Sequence, residues 1–225
     1  MNINSDFSVP VALHADRVEW QPSPMPGVDR RMLDRIGAEV ARATSIVRYA
    51  PQSSFSEHTH NGGEEFIVLE GTFQDEHGDY PAGTYVRNPI GTHHIPRSDD
   101  GCTIFVKLWQ FDARDNRQFA VDLSAVLPMQ DGDHPSFARQ LLHQFEDEHV
   151  WLEFWPAGST GVIEAESGAE LLVLEGSLEF DGETFERNDW IRLPVGHSAE
   201  MFSGPDGARI WVKTGHLTNV SAPQV

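Results

Sequence analysis

Short runs of β-branched and aromatic residues, each ended by a turn signal, recur along the whole chain. In the first half they fall at residues 45–49, 65–70, 84–87 and 103–109. Asn61-Gly62-Gly63, His77-Gly78-Asp79, Pro81-Ala82-Gly83 and Asp99-Asp100-Gly101 stand between or beside them. Branched and aromatic side chains pack well on a pleated surface, and glycine or proline between them lets the chain reverse, so the pattern predicts strands. The second half repeats it at residues 150–155, 170–175, 190–193 and 208–213. Residues 30–43 fit two readings: Met32, Leu33, Ile36 and Val40 share one helical face, but a strand, a turn and a second strand also fit. Residues 111–135, with Asp112, Asp115, Asp131 and Asp133, read as the connection between the halves.

The halves are copies of one another. From Pro51 to Ser98 a constant offset of 105 positions aligns them without a gap, and one added residue then brings Val106-Lys107 onto Val212-Lys213. Pro156 answers Pro51, Glu170 answers Glu65, and Val173-Leu174-Glu175-Gly176 answers Val68-Leu69-Glu70-Gly71. Many short strands duplicated in tandem predict an all-β chain of two barrels or sandwiches, one over residues 1–115 and one over residues 116–225.

The copies differ where the chemistry lies. His58, His60 and Glu64 become Ile163, Ala165 and Ala169. His58 and His60 are two apart, so on a strand they leave the same face with Cα atoms about 6.5 Å apart, close enough to share an ion. Gly62-Gly63 then lets the backbone turn and return a carboxylate. Glu65 persists as Glu170 where both histidines are gone, which gives it a structural role; Glu64 disappears with the histidines and is the expected ligand. His93 and His94 are replaced by Ser198 and Ala199, a comparison that does not choose between them. The expectation is one divalent metal ion in the first copy and none in the second.

The charge balance narrows the partners. With 16 basic and 35 acidic residues the net charge is −19, so nucleic acid is not an expected ligand, and the acidity reads as a solvated surface. Cys102 is the only cysteine, which excludes an intrachain disulfide and a cysteine-rich zinc site. No long apolar run follows a basic start, so the expected location is cytoplasmic, with no membrane contact.

The residues quoted above resemble the cupin superfamily. Its first motif, G-x5-H-x-H-x3-E-x6-G, is met by His58, His60, Glu64 and Gly71, with Gln52 in place of the leading glycine. Its second, G-x5-P-x-G-x2-H-x3-N, is met by Gly83, Pro89, Gly91 and His94, with Ser98 in place of asparagine. The match selects His94 over His93. The text from His58 to Gly71, followed by Asp-Glu-His-Gly-Asp-Tyr-Pro-Ala-Gly-Thr-Tyr, is most similar to the ChrR-like cupin domain of ChrR-type anti-sigma factors.

That resemblance implies two tandem cupin (jelly-roll) barrels, the second degenerate, and a metal site of His58, His60, Glu64 and His94. Zinc is the expected ion, with iron or manganese as alternatives. It implies a sensory, regulatory or small-ligand-binding module; the competing reading is a metal-dependent dioxygenase of diketone-like or aromatic small molecules. The expected partner is a small-molecule ligand or oxidant, with a homodimer expected by analogy. The residues before the barrel hold no cysteine, so direct sigma-factor binding is not expected. His93 is a candidate hydrogen-bond partner behind the ligands or proton relay, and Tyr49, Phe66, Tyr85 and Phe105 are candidate pocket walls. Trp151, Trp155, Trp190 and Trp211 are expected to fill a dry second barrel. His77 reads as a solvent-exposed turn residue, and His14, His134, His143, His149, His197 and His216 lack ligand spacing.

Overall fold

The computed structural model of the chain describes residues 1–130, 132 and 136–223. Asp131, Asp133 and His134 of the connecting stretch lie outside the described residues. No α-helix occurs among the described residues; besides strands there are only two short 3₁₀ turns, Ala15–Arg17 and Leu123–Ala125. Among the described residues no helix is long and apolar enough to cross a membrane.

Two compact units form. One takes residues 1–5, 18–125 and 221–225, the other residues 6–17 and 126–220. The division at 115/116 read from the sequence differs in two places. Phe119–Asp122, in the expected connection, is a strand paired with Thr84–Asn88 and so part of the first unit. Val11–Leu13 pairs with Trp190–Leu193 and so belongs to the second. The ambiguous segment at 30–43 is strand, turn and strand, with Val28–Gly37 paired against Ala41–Tyr49.

The first unit is built on an antiparallel sheet in the order Val28–Gly37, Ala41–Tyr49, Cys102–Leu108, Glu64–Asp75, Thr84–Asn88, Phe119–Asp122. The second repeats it as Ala138–Phe145, Glu148–Trp155, His197–Thr214, Ala169–Phe180, Trp190–Leu193, Val11–Leu13. Side chains alternate across a strand, so Glu64, Phe66 and Val68 share one face of Glu64–Asp75 while Glu65, Ile67 and Leu69 share the other. Phe66 and Val68 join the barrel core with Val47, Tyr49, Phe73 and Ile104. In the second unit Leu171 and Val173 do the same with Trp155, Ile191 and Ile210.

Backbone contacts repeat with the sequence. Gly71 and its counterpart Gly176 have φ of 70° and 69°. A Cβ on either would run into a carbonyl oxygen, of Gly101 or of Gly207. Glycine alone allows both the left-handed turn and the close approach, which explains why Leu-Glu-Gly survives in both copies.

Candidate metal centre

Four donors come together at one end of the first barrel. His58 lies on the short strand His58–Thr59, which pairs with His93–His94 so that His58 stands opposite His94. His60 N–H donates to Thr92 O at 2.8 Å, and Gly91 N–H donates back to His60 O at 3.0 Å, which pins the Pro89–Gly91 turn to the His-Thr-His segment. Gly63 then takes φ of 75°, its N–H donating to His60 O at 3.3 Å, and the chain enters the long strand at Glu64. The rings of Trp109 and Phe111 lie where a Cβ on Gly62 or Gly63 would go.

One donor atom from each of His58, His60, Glu64 and His94 lies within 4.8 Å of all the others, so the four could hold a metal ion. His60, Glu64 and His94 are buried and His58 is exposed. Glu64 Oε1 is 3.4 Å from His60 Nε2 and 3.6 Å from His94 Nε2.

The outer nitrogens decide which atoms face inward. His60 Nδ1 lies 2.9 Å from Thr92 Oγ1, whose hydroxyl donates to Pro89 O at 2.7 Å. Thr92 Oγ1 therefore accepts, and His60 carries its proton on Nδ1. His94 Nδ1 lies 3.3 Å from Asp75 Oδ2, an acceptor, so its proton also sits on Nδ1. Both imidazoles turn unprotonated Nε2 atoms toward the same point, beside a carboxylate oxygen. Lone pairs so placed repel one another unless a cation sits between them. The donor set fits a divalent ion.

Burial lowers the His60 pKa, against the opposing pull of Glu64. Burial also disfavours charge on His94, but its hydrogen bond to Asp75 and the charge of Glu64 raise its pKa overall. Asp75 is held low despite its burial by His94 and by the backbone N–H of His77. Cys102 takes no part: burial pushes its thiol up to about 11, and it sits in the barrel core.

The other sequence candidates divide between two faces. Tyr49 and Phe66 line the core with Phe73, whose ring lies 5.7 Å from that of His94. Tyr85 and Phe105 do not: Tyr85 donates to Glu65 Oε2 at 2.7 Å, and Phe105 pairs with Ile67, both on the opposite face of the sheet. The alternation of strand residues sends them there. His93, expected beside the ligands, is exposed and lies 4.0 Å from Glu57. Glu65 is 1% exposed and pairs with Arg87 at 2.8 Å, away from the four donors.

Asp75, Thr92 and Asn88 are residues that sequence reasoning missed. Asp75 Oδ1 accepts from the N–H groups of His77 (2.8 Å) and Gly78 (3.2 Å) and from Tyr80 OH (3.3 Å), which leaves Oδ2 aimed at His94. Asn88 Nδ2 lies 3.5 Å from Glu64 Oε1. A signal existed: at the same offset of 105, Asp75 becomes Phe180 and Asn88 becomes Leu193, the same loss of polarity seen at the ligand positions.

The second barrel keeps the scaffold and loses the donors. Ile163 stands opposite Ala199 as His58 stands opposite His94. Gly168 N–H donates to Ala165 O at 3.0 Å and Gly196 N–H to Ala165 O at 2.9 Å, matching the bonds made to His60 O. Ile163, Ala165, Ala169 and Ala199 are all buried in the apolar core. Trp155 joins that core, stacked on Phe137 at 4.6 Å, and Trp151 packs against it half-buried. Trp190 and Trp211 instead pack on the face of Glu170, where Trp190 Nε1–H donates to Glu170 Oε2 at 3.2 Å.

Tandem jelly-roll barrels, one with a His-His-Glu-His cluster at its end, define a bicupin. Residues 8–112 match the family model of the ChrR cupin-like domain. Solved structures agree on the fold. A candidate dioxygenase from Nostoc punctiforme superposes with a TM-score of 0.76 at 16% identity, over 96% of this chain and 88% of that one. A candidate glyoxylate-induced protein from Pseudomonas aeruginosa gives 0.68 at 17% identity, over 96% and 91%. The bacterial pirin YhhW from Escherichia coli, in complex with nickel(II), gives 0.65 at 13% identity, over 92% and 99%. Among curated proteins none matches the chain.

Proposed function

We propose that the chain is a cytoplasmic metal-binding bicupin whose first barrel holds one divalent ion through His58, His60, Glu64 and His94, zinc being the first choice. In this reading the loaded barrel is a sensory or small-ligand-binding module. One observation carries it: both buried imidazoles have Nδ1 engaged by a hydrogen-bond acceptor, so their Nε2 atoms and Glu64 Oε1 converge. Three neutral imidazoles and one carboxylate suit zinc, iron or manganese, and leave net positive charge on the site. When bound, the ion supplies a Lewis acid for oxygen atoms of a ligand. The protein's own part is to fix the ring tautomers through Thr92 and Asp75 and to exclude water with Tyr49, Phe66 and Phe73. His58, exposed, stands on the solvent side through which a small molecule or oxidant would reach the ion.

The aromatic wall behind the ligands also favours a second reading. Such a wall suits a diketone-like or aromatic substrate, and a candidate dioxygenase is among the similar structures. Metal analysis of tag-free protein separates the two. Tightly held zinc, about one ion per chain, without turnover supports the module. Iron or manganese with oxygen uptake on a diketone or catechol supports the enzyme. Absence of any divalent ion from the native protein, together with no uptake of added zinc, overturns both.

A further inference from the structure

The barrel without donors has a chamber of its own. A cavity of about 430 Å³ opens in the second unit, within the ~300–1,000 Å³ range of small-molecule sites. Its apolar lining comes from Phe137, Trp151, Ile163 and Val212. Ile163 is the residue that replaces His58, so the chamber begins where the first barrel gathers its donors. The loss of the histidines has given an apolar floor rather than a metal.

The remaining lining is polar, with four carboxylates beside Arg139 and His149. Glu153 is only 3% exposed, and its Oε2 is held at 2.9 Å by the indole N–H of Trp155. Asp147, Glu164 and Glu166 also line the cavity, are exposed, and form no ion pair among the described residues. Arg139 stands opposite Glu153 in the strand pairing, with its guanidinium 4.0 Å above the Trp151 ring, and His149, also in the lining, stacks on that ring at 6.0 Å, so the three exposed carboxylates are the ones left facing the cavity mouth. The tryptophan ring is thus already in contact with positive or protonatable groups, and its edge and the aliphatic floor face the cavity. Aromatic surface attracts cations through the ring quadrupole, and carboxylates at the mouth add to the attraction. A carboxylate-bearing ligand would meet like charge on the same approach.

We propose that this cavity is a binding site for a small organic cation, an amine with an apolar or aromatic body. The body lies on Ile163, Val212 and Trp151, and the ammonium group faces Glu164 and Glu166. The site is separate from the candidate metal centre and does not depend on it.

A matched pair of probes tests this on the full-length chain by calorimetry: phenethylamine, and 3-phenylpropionate, which carries the opposite charge on a similar frame. The amine is expected to bind, and the acid to bind at least roughly tenfold more weakly. Both rim carboxylates are exposed, so Glu164→Gln with Glu166→Gln leaves the core untouched and is expected to weaken the amine roughly tenfold. The Trp151 indole N–H resonance should move on adding the amine, and protein stripped of metal by a chelator should bind as well as loaded protein. No binding of the amine, equal binding of the acid, or affinity unchanged in the double variant would each overturn the proposal. Binding that vanishes on chelation would also overturn it, whereas failure of the metal reading leaves it standing.

Discussion

Nε2 of His60 lies 3.1 Å from Nε2 of His94, and each ring has already committed its other nitrogen to an acceptor. Two ring nitrogens held that close in a buried place call for a positive charge between them, a proton or a metal ion. The same strand register in the second barrel sets Ile163 against Ala199, two side chains with nothing to donate. His94→Ala should therefore remove most of the bound metal. Ala199→His alone should create no new site, because Ile163, Ala165 and Ala169 remain apolar. Metal content by elemental analysis checks both; metal retained in His94→Ala would argue against the four-donor assignment.

Glu65 provides the contrast. Its carboxylate accepts from Arg87 at 2.8 Å and from Tyr85 OH at 2.7 Å in a fully buried setting. Glu65→Ala leaves the Arg87 guanidinium short of a partner in the interior, although Asp115 still binds it at 2.8 Å. A loss of about 3 kcal/mol in unfolding free energy is expected, with metal content of the folded protein unchanged. Denaturant titration beside elemental analysis reads both, and equal metal loss from Glu65→Ala and Glu64→Ala would reverse their roles.

Asp75 acts on the site through His94. Asp75→Asn should weaken metal affinity about 10–100-fold, the usual effect of losing a carboxylate behind a ligand imidazole. The nitrogen chemical shifts of His94 should report the altered tautomer in metal-free protein. An affinity change without any change at His94 would mean that Asp75 serves only the turn formed by His77 and Gly78.

A pH dependence is expected at the N-terminal arm. His14 bonds Glu183 and Asp189 at 3.0 Å each and stacks on Phe185 at 4.7 Å. The hydrogen bond to Glu183 raises its pKa above the usual 6.5, against a smaller opposing effect of burial. Protonated His14 thus stabilises the docked arm fully below that usual value, and the contribution is lost as pH rises through the raised value. Hydrogen exchange of residues 11–13 should accelerate over that interval, and His14→Gln should flatten the dependence.

The four donors were legible because spacing and duplication agreed on them. His58, His60 and Glu64 vanish together in the copy, and the motif chooses His94 over His93. What stayed hidden depends on pairing between distant strands. That Tyr85 faces Glu65 rather than Glu64 follows from the register of Thr84–Asn88 against the long strand, which no local pattern fixes. Phe119–Asp122 is a short run among polar residues, and only its partner makes it a strand. The same holds for Val11–Leu13, whose three residues carry no periodicity of their own. Asp75 was readable in principle, through Phe180, but an acidic residue before a His-Gly turn looks like ordinary turn chemistry.

Because Val11–Leu13 closes the flank of Trp190–Leu193, scissors applied between residues 125 and 126 would not free a self-sufficient C-terminal piece. Such a fragment would carry a bare row of amide and carbonyl groups, ready to zip onto a sister molecule. Supplying residues 6–17 as a separate peptide should keep that fragment monomeric.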